Sequence, residues 1–98
     1  MENFNDIIKS DSLTLVDFFA TWCGPCKMMH PVLEQLKDDL GESIRIIKLD
    51  VDKNENLSMQ YNIQSVPTLM LFKNGDVVWR QSGAMSLNEL KSLIAQYS

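Results

Sequence analysis

The chain holds two cysteines among 98 residues, and they stand three positions apart in Trp22-Cys23-Gly24-Pro25-Cys26-Lys27. An apolar run from Leu13 to Ala20 leads into the pair, and a helical pattern from about Cys23 to Leu40 leads out. The cysteines are thereby expected where a strand gives way to a helix N-terminus. N–H groups in a first helical turn have no intrahelical acceptor, and the positive end of the helix dipole lies there. A thiolate at that point is stabilised, so its pKa falls. Pro25 is tolerated in that turn because its missing N–H would have been unpaired anyway. Gly24 keeps the turn narrow and leaves room for another chain. Once the helix begins, the spacing lets the two sulfurs meet. These residues describe a redox pair, open as a dithiol and closed as a disulfide.

Other uses of Cys-x-x-Cys fit less well. Four-coordinate zinc needs two further ligands, and His30 is the one other soft candidate. The aspartates are not spaced to complete such a set. A cluster shared between two chains would satisfy the ligand number, but the flanking Trp22 and Pro25 do not suggest one. A static structural bridge across two intervening residues closes too small a loop to stabilise much.

The elements that must position the pair are read from periodicity and turn chemistry. Phe4, Ile7 and Ile8 recur at helical spacing, predicting a short helix over about 3–10 that Ser10-Asp11-Ser12 breaks. Leu13 to Phe19 reads as a strand covered on both faces. Cys26, Met29, Leu33, Leu36 and Leu40 form one apolar stripe on a long helix, with Pro31 expected to kink it and Gly41 to stop it. Ile44, Ile46, Ile47, Leu49 and Val51 form a second near-continuous apolar strand, and strand–helix–strand predicts a parallel pair. Glu55 to Tyr61 is a short helix with Asn62 as a left-handed cap. Ile63-Gln64-Ser65-Val66 runs extended to Pro67. Thr68 to Lys73 and Asp76 to Ser82 are strands joined by Asn74-Gly75, a strong hairpin signal. Ser86 and Glu89 make a capping box, and Met85 and Leu90 a hydrophobic staple, for a last helix faced by Leu87, Leu90, Leu93, Ile94 and Tyr97. The order α-β-α-β-α-β-β-α predicts an α/β fold with a mixed sheet of about four strands between helices. Residues 1–98 are expected to form a single domain with no repeat or linker.

The net charge of −4 comes with no basic stripe, which argues against nucleic-acid binding. No apolar run is long enough to span a bilayer. Met1-Glu2-Asn3-Phe4-Asn5-Asp6 lacks the basic and apolar regions of a signal peptide. The expected compartment is the cytoplasm, where a cysteine pair is more often catalytic than structural.

The chain resembles the thioredoxin family. The matching stretches are Val16-Asp17-Phe18-Phe19-Ala20, Trp22-Cys23-Gly24-Pro25-Cys26-Lys27-Met28, Lys48-Leu49-Asp50-Val51-Asp52, Val66-Pro67-Thr68-Leu69, Phe72-Lys73-Asn74-Gly75 and Ser82-Gly83-Ala84. They follow the family's order through nearly the whole chain. The resemblance implies the thioredoxin fold, with the N-terminal edge strand that many members carry missing or reduced here. Two further departures are Phe19, where many members have a second tryptophan, and Asn62, where a glycine is common.

The resemblance also implies roles. Cys23 is the exposed nucleophile that attacks a substrate disulfide, and Cys26, one turn further in, is the more buried resolving thiol. Asp17 interrupts an apolar strand and shares a face with Leu13, Leu15 and Phe19. A buried carboxylate has a raised pKa, and here it would accept the Cys26 proton, directly or through a water. Against that stands a plain strand-end carboxylate meeting solvent or a lysine. Lys48, on the neighbouring strand, is its natural charge partner. Base rates favour a trans Val66–Pro67 bond, but the resemblance implies a cis one, beside the disulfide, that leaves the Val66 backbone free to pair with an extended substrate. Trp22, Gly24, Pro25, Val66, Gly83 and Ala84 are expected to form a flat, largely apolar docking rim. His30 reads as a solvated helix residue rather than a base, Met28-Met29 as packing, and Asp50 and Asp52 as turn caps.

As a function, the resemblance implies a general protein-disulfide reductase with no bound cofactor. Electrons would come from NADPH through a separate flavoprotein reductase, since the chain has no Gly-rich dinucleotide fingerprint. The implied partners are thioredoxin reductase and disulfide-bearing clients such as peroxiredoxin, methionine sulfoxide reductase and ribonucleotide reductase; neither nucleic acid nor membrane is expected, and the chain is expected to be a monomer. One alternative is a binding subunit of a larger complex with secondary redox chemistry. The other is an oxidase or isomerase, although Gly24-Pro25 resembles the reducing members.

Overall fold

A computed structural model describes residues 3–98. Met1 and Glu2, part of the N-terminus read above for a signal peptide, lie outside the described residues. The elements in order are α1 (Phe4–Ile8), β1 (Leu13–Phe19), α2 (Gly24–Leu40), a 3-10 turn (Gly41–Ser43), β2 (Ile44–Asp50), α3 (Glu55–Gln60), β3 (Thr68–Lys73), β4 (Asp76–Ser82) and α4 (Leu87–Tyr97). The sheet order is β2-β1-β3-β4. β1 and β2 are parallel, as a strand–helix–strand crossover requires, and the β1/β3 and β3/β4 pairs are antiparallel.

Strand alternation sends side chains to two cores. On one face Leu13, Leu15, Leu69 and Leu71 pack with Met29, Leu33 and Leu36 of α2 and with Leu90, Leu93 and Ile94 of α4. On the other, Val16, Phe18, Met70 and Phe72 pack with Ile8 of α1, and Leu57 and Tyr61 close over them. The central strands β1 and β3 are buried almost throughout. β2 sends Ile44 and Ile46 to the first core and Ile47 and Leu49 to the second, and is less covered than β1 and β3. It is an outer strand, and Arg45 and Lys48 on it are exposed.

Local signals set the boundaries. α1 is shorter than predicted: Asn3 caps it through a bond from the Asp6 N–H to its side chain at 3.0 Å. α2 continues unbroken through Pro31. Gly41, at φ 56°, ends it and donates its N–H to the Lys37 carbonyl. Asn62, at φ 54°, closes α3: its N–H bonds to the Met59 carbonyl at 3.1 Å and that of Ile63 to Ser58 at 2.8 Å. This is the paired bonding of a Schellman closure. Asn74 and Gly75 both have positive φ, as a tight hairpin turn demands. The Ser86/Glu89 capping box is present with both of its bonds.

Candidate active site

The site forms where β1 runs into α2. Cys23 is the N-cap of α2, and its Sγ accepts the Cys26 backbone N–H at 3.2 Å. One of the unpaired donors of the first turn therefore points at the sulfur. Pro25 occupies the position where a missing donor costs nothing. Cys23 and Cys26 are joined as a disulfide with Cα atoms 5.3 Å apart. Ala20, Phe19, Val51 and Val66 pack around it. That packing corrects the expectation of an exposed Cys23. Cys23 is only 5% accessible, against 0% for Cys26, so it is the less covered of two buried residues.

The Val66–Pro67 bond is cis. The Val66 carbonyl oxygen lies 3.6 Å from Cys23 Sγ, and Pro67 is buried while Val66 is half-buried. Gly83, at φ 99°, donates its N–H to the Pro67 carbonyl at 2.8 Å. Trp22, Gly24, Pro25, Gly83 and Ala84 are all exposed. Space is open where a Cβ on Gly24 or Gly83 would stand. The predicted rim residues are thus brought together at one end of the sheet.

Beside this rim is a cavity of about 170 Å³ lined by Trp22, Val51, Ile63, Gln64, Ser65 and Val66. Of these, the family resemblance implies a docking role only for Trp22 and Val66. The available signal for the rest was the extended Ile63–Val66 run preceding a proline. The indole N–H of Trp22 donates to Asp52 Oδ2 at 3.1 Å. Asp52 is therefore a tether for the exposed ring rather than a turn cap. Asp50 does cap, accepting the Asp52 N–H on Oδ1 at 2.9 Å.

Asp17 is fully buried, and neither carboxylate oxygen has a hydrogen-bond partner. By strand alternation it faces α2, the helix that carries Cys26. Lys48 stands opposite it in the β1/β2 register. The lysine is exposed and acts on Asp17 through its field, not through a bond. Burial pushes the Asp17 pKa from 3.8 to about 6, and the Lys48 charge only partly opposes this.

Two neighbours differ from expectation. His30 is not simply solvated. Its ring meets Phe19 edge to face, with centroids 5.2 Å apart, and its Nδ1 is buried without a partner. Met29 is buried, but Met28 is 70% exposed. The helix stripe turns Met29 inward and Met28, one position away, outward. Among the described residues no group of three or more His, Cys, Asp or Glu is arranged to hold a metal ion. Nor is any helix among them long and apolar enough to cross a membrane.

Comparison with known proteins gives a consistent result. The family model described as Thioredoxin matches residues 1–96. The thioredoxin of Chlorobaculum thiosulfatiphilum is 45% identical over 97 residues, covering 98% of this chain and 90% of its own. That of Haemophilus influenzae is 43% identical over 91 residues, covering 93% and 85% respectively. A solved structure of a mutant thioredoxin from Halobacterium salinarum superposes with a TM-score of 0.86 at 39% identity, over 95% of this chain and 80% of that one. With a cysteine pair closed at a helix N-terminus and this likeness along nearly its whole length, the chain belongs to the thioredoxin family of thiol–disulfide oxidoreductases.

Proposed function

We propose the following division of labour for the protein-disulfide reduction this chain performs. The observation that carries it is the asymmetric pair: Cys23 is the less covered residue and its Sγ accepts the Cys26 N–H at the helix N-terminus, while Cys26 is wholly covered. In the reduced protein the Cys23 thiolate attacks one sulfur of a substrate disulfide. A Cys23–substrate bond forms, the substrate S–S bond breaks, and the other substrate sulfur leaves as a thiolate that takes up a proton. Cys26 then gives its proton to Asp17, directly or through a water, and attacks Cys23 Sγ. The Cys23–Cys26 bond forms and the second substrate sulfur leaves. Two electrons have passed to the substrate. An Asp17 carboxyl near pKa 6 is matched to accepting and returning a proton close to neutral pH. Lys48 tunes it from the adjacent strand.

Docking uses Trp22, Gly24, Pro25, Val66, Pro67, Gly83 and Ala84. The cis bond places the Val66 backbone beside the disulfide, which supports strand-like pairing with an extended segment of substrate. Reduction of the disulfide requires an outside two-electron donor. Family membership supports a thioredoxin reductase fed by NADPH, with peroxiredoxin, methionine sulfoxide reductase and ribonucleotide reductase as client classes. It also supports a cytoplasmic monomer that carries electrons between these enzymes.

The test is an insulin reduction assay with dithiothreitol as the electron source. The parent chain should accelerate reduction well above the dithiothreitol background, and Cys23→Ser should abolish the acceleration. Acceleration that survives Cys23→Ser would refute the assignment.

A further inference from the structure

The wall of the cavity beside Trp22 is a short irregular strap, Ile63–Val66, between α3 and β3. A strap without secondary structure keeps its shape only if its ends are held. Its start is held by the Schellman closure of α3, which satisfies the Ser58 and Met59 carbonyls. That closure leaves the Tyr61 and Asn62 carbonyls over. Arg80 takes both: its Nη1 donates to the Tyr61 carbonyl and its Nη2 to that of Asn62 at 2.9 Å. Register places Arg80 opposite Met70, so its side chain leaves β4 on the face where α3 packs. The strap's far end is also held from β4. Thr68 Oγ1 donates to the Ser65 carbonyl at 2.7 Å and so must accept from Ser82 Oγ, 3.2 Å away. Gly83 holds the Pro67 carbonyl.

We propose that Arg80 is a positioning residue for substrate recognition: its guanidinium fork on two successive carbonyls fixes the Ile63–Val66 strap as the wall against which a protein substrate docks. The choice of arginine follows from geometry. A planar guanidinium presents paired donors in a fixed fork, whereas a lysine would bring one mobile point charge. The inference rests on the docking reading above. It goes beyond that reading in making selectivity for protein over small disulfides depend on a residue outside the rim.

The experiment uses pre-reduced parent, Arg80→Ala and Arg80→Lys chains. Second-order rate constants are measured with insulin and with dithiobis(nitrobenzoic acid), whose small size demands little of the strap. The insulin-to-small-disulfide ratio should fall at least about ten-fold in Arg80→Ala, which removes both charge-assisted hydrogen bonds of the fork, and by less in Arg80→Lys. Amide hydrogen exchange at Ile63–Val66 should quicken in the same order, with exchange in β1 and β3 kept. Exchange reads the strap itself, so the inference is tested even if insulin proves a poor substrate for the parent, a result that would count against the docking reading alone. A parent-like ratio with parent-like exchange in Arg80→Ala overturns the proposal. So does an equal loss on both disulfides with faster exchange across the whole sheet, for Arg80 would then be a general structural group.

Discussion

At the scale of single residues, the site depends on one group that the fold holds at a cost. Asp17 is buried with two unpartnered oxygens, and a charge in that setting is unfavourable. Replacing it by asparagine keeps the shape and removes the charge. We expect Asp17→Asn to slow resolution of the mixed disulfide by about 10²-fold, at the lower end of what general base catalysis supplies. The first attack by Cys23 should be little altered. Single-turnover rates of mixed-disulfide formation and decay separate the two steps. Equal decay rates in parent and variant would make Asp17 a passive carboxylate. Asp17 could be suspected from sequence because a charge in a run of buried residues is anomalous in itself. The Trp22–Asp52 bond and the His30–Phe19 contact could not, because each depends on which residues meet after folding and periodicity is silent on that. The outward turn of Met28 was legible in the phase of the apolar stripe, which runs through Met29 and leaves Met28 off it.

At the scale of elements, boundaries were legible wherever backbone chemistry is local. The Asn74-Gly75 hairpin, the Asn62 cap and the Ser86/Glu89 box each announce themselves within a few residues. The capping box gives a clean test of the separation between scaffold and site. Ser86 Oγ accepts the Glu89 N–H at 3.2 Å, and the Glu89 side chain accepts the Ser86 N–H at 3.0 Å. Ser86→Ala should lower unfolding stability by about 1 kcal/mol and leave insulin reduction at the parent rate, measured by denaturant titration beside the activity assay. A larger loss of activity than of stability would tie α4 to docking. The buried or exposed status of an entire strand was less legible than its existence. β2 is as apolar as a doubly covered strand, yet it lies at one side of the sheet. Sheet order is a property of chain crossings, and no residue of β2 encodes it. The Arg80 fork escaped sequence reading for the same reason, since it joins β4 to the end of α3 across 18 positions.

At the scale of the whole molecule, the raised Asp17 pKa makes stability depend on pH in a particular direction. The folded chain binds the Asp17 proton more tightly than the unfolded chain, with pKa values of about 6 and 3.8. Its stabilising contribution is therefore complete below the unfolded pKa and is lost as pH rises through about 6. At about 1.4 kcal/mol per pH unit between the two values, the loss approaches ~3 kcal/mol. Carboxylates such as Asp39 and Glu89, whose pKa values are lowered by hydrogen bonds from Lys91 and Ser86, change stability in the opposite sense. The difference between parent and Asp17→Asn isolates the buried group. Denaturation midpoints taken from about pH 4 to pH 8 should show the variant gaining on the parent as pH rises, with the gain levelling above about pH 7. A difference that is flat with pH would mean that Asp17 is solvated.

The central claim is that reduction proceeds by dithiol exchange, with Cys23 attacking and Cys26 resolving. Its most direct measurement is the mass spectrum of the covalent species formed when reduced Cys26→Ser and Cys23→Ser chains meet insulin. The account predicts that Cys26→Ser accumulates a mixed disulfide joined through Cys23 and that Cys23→Ser accumulates essentially none. A stable adduct through Cys26 in the Cys23→Ser chain, with none through Cys23, would contradict it.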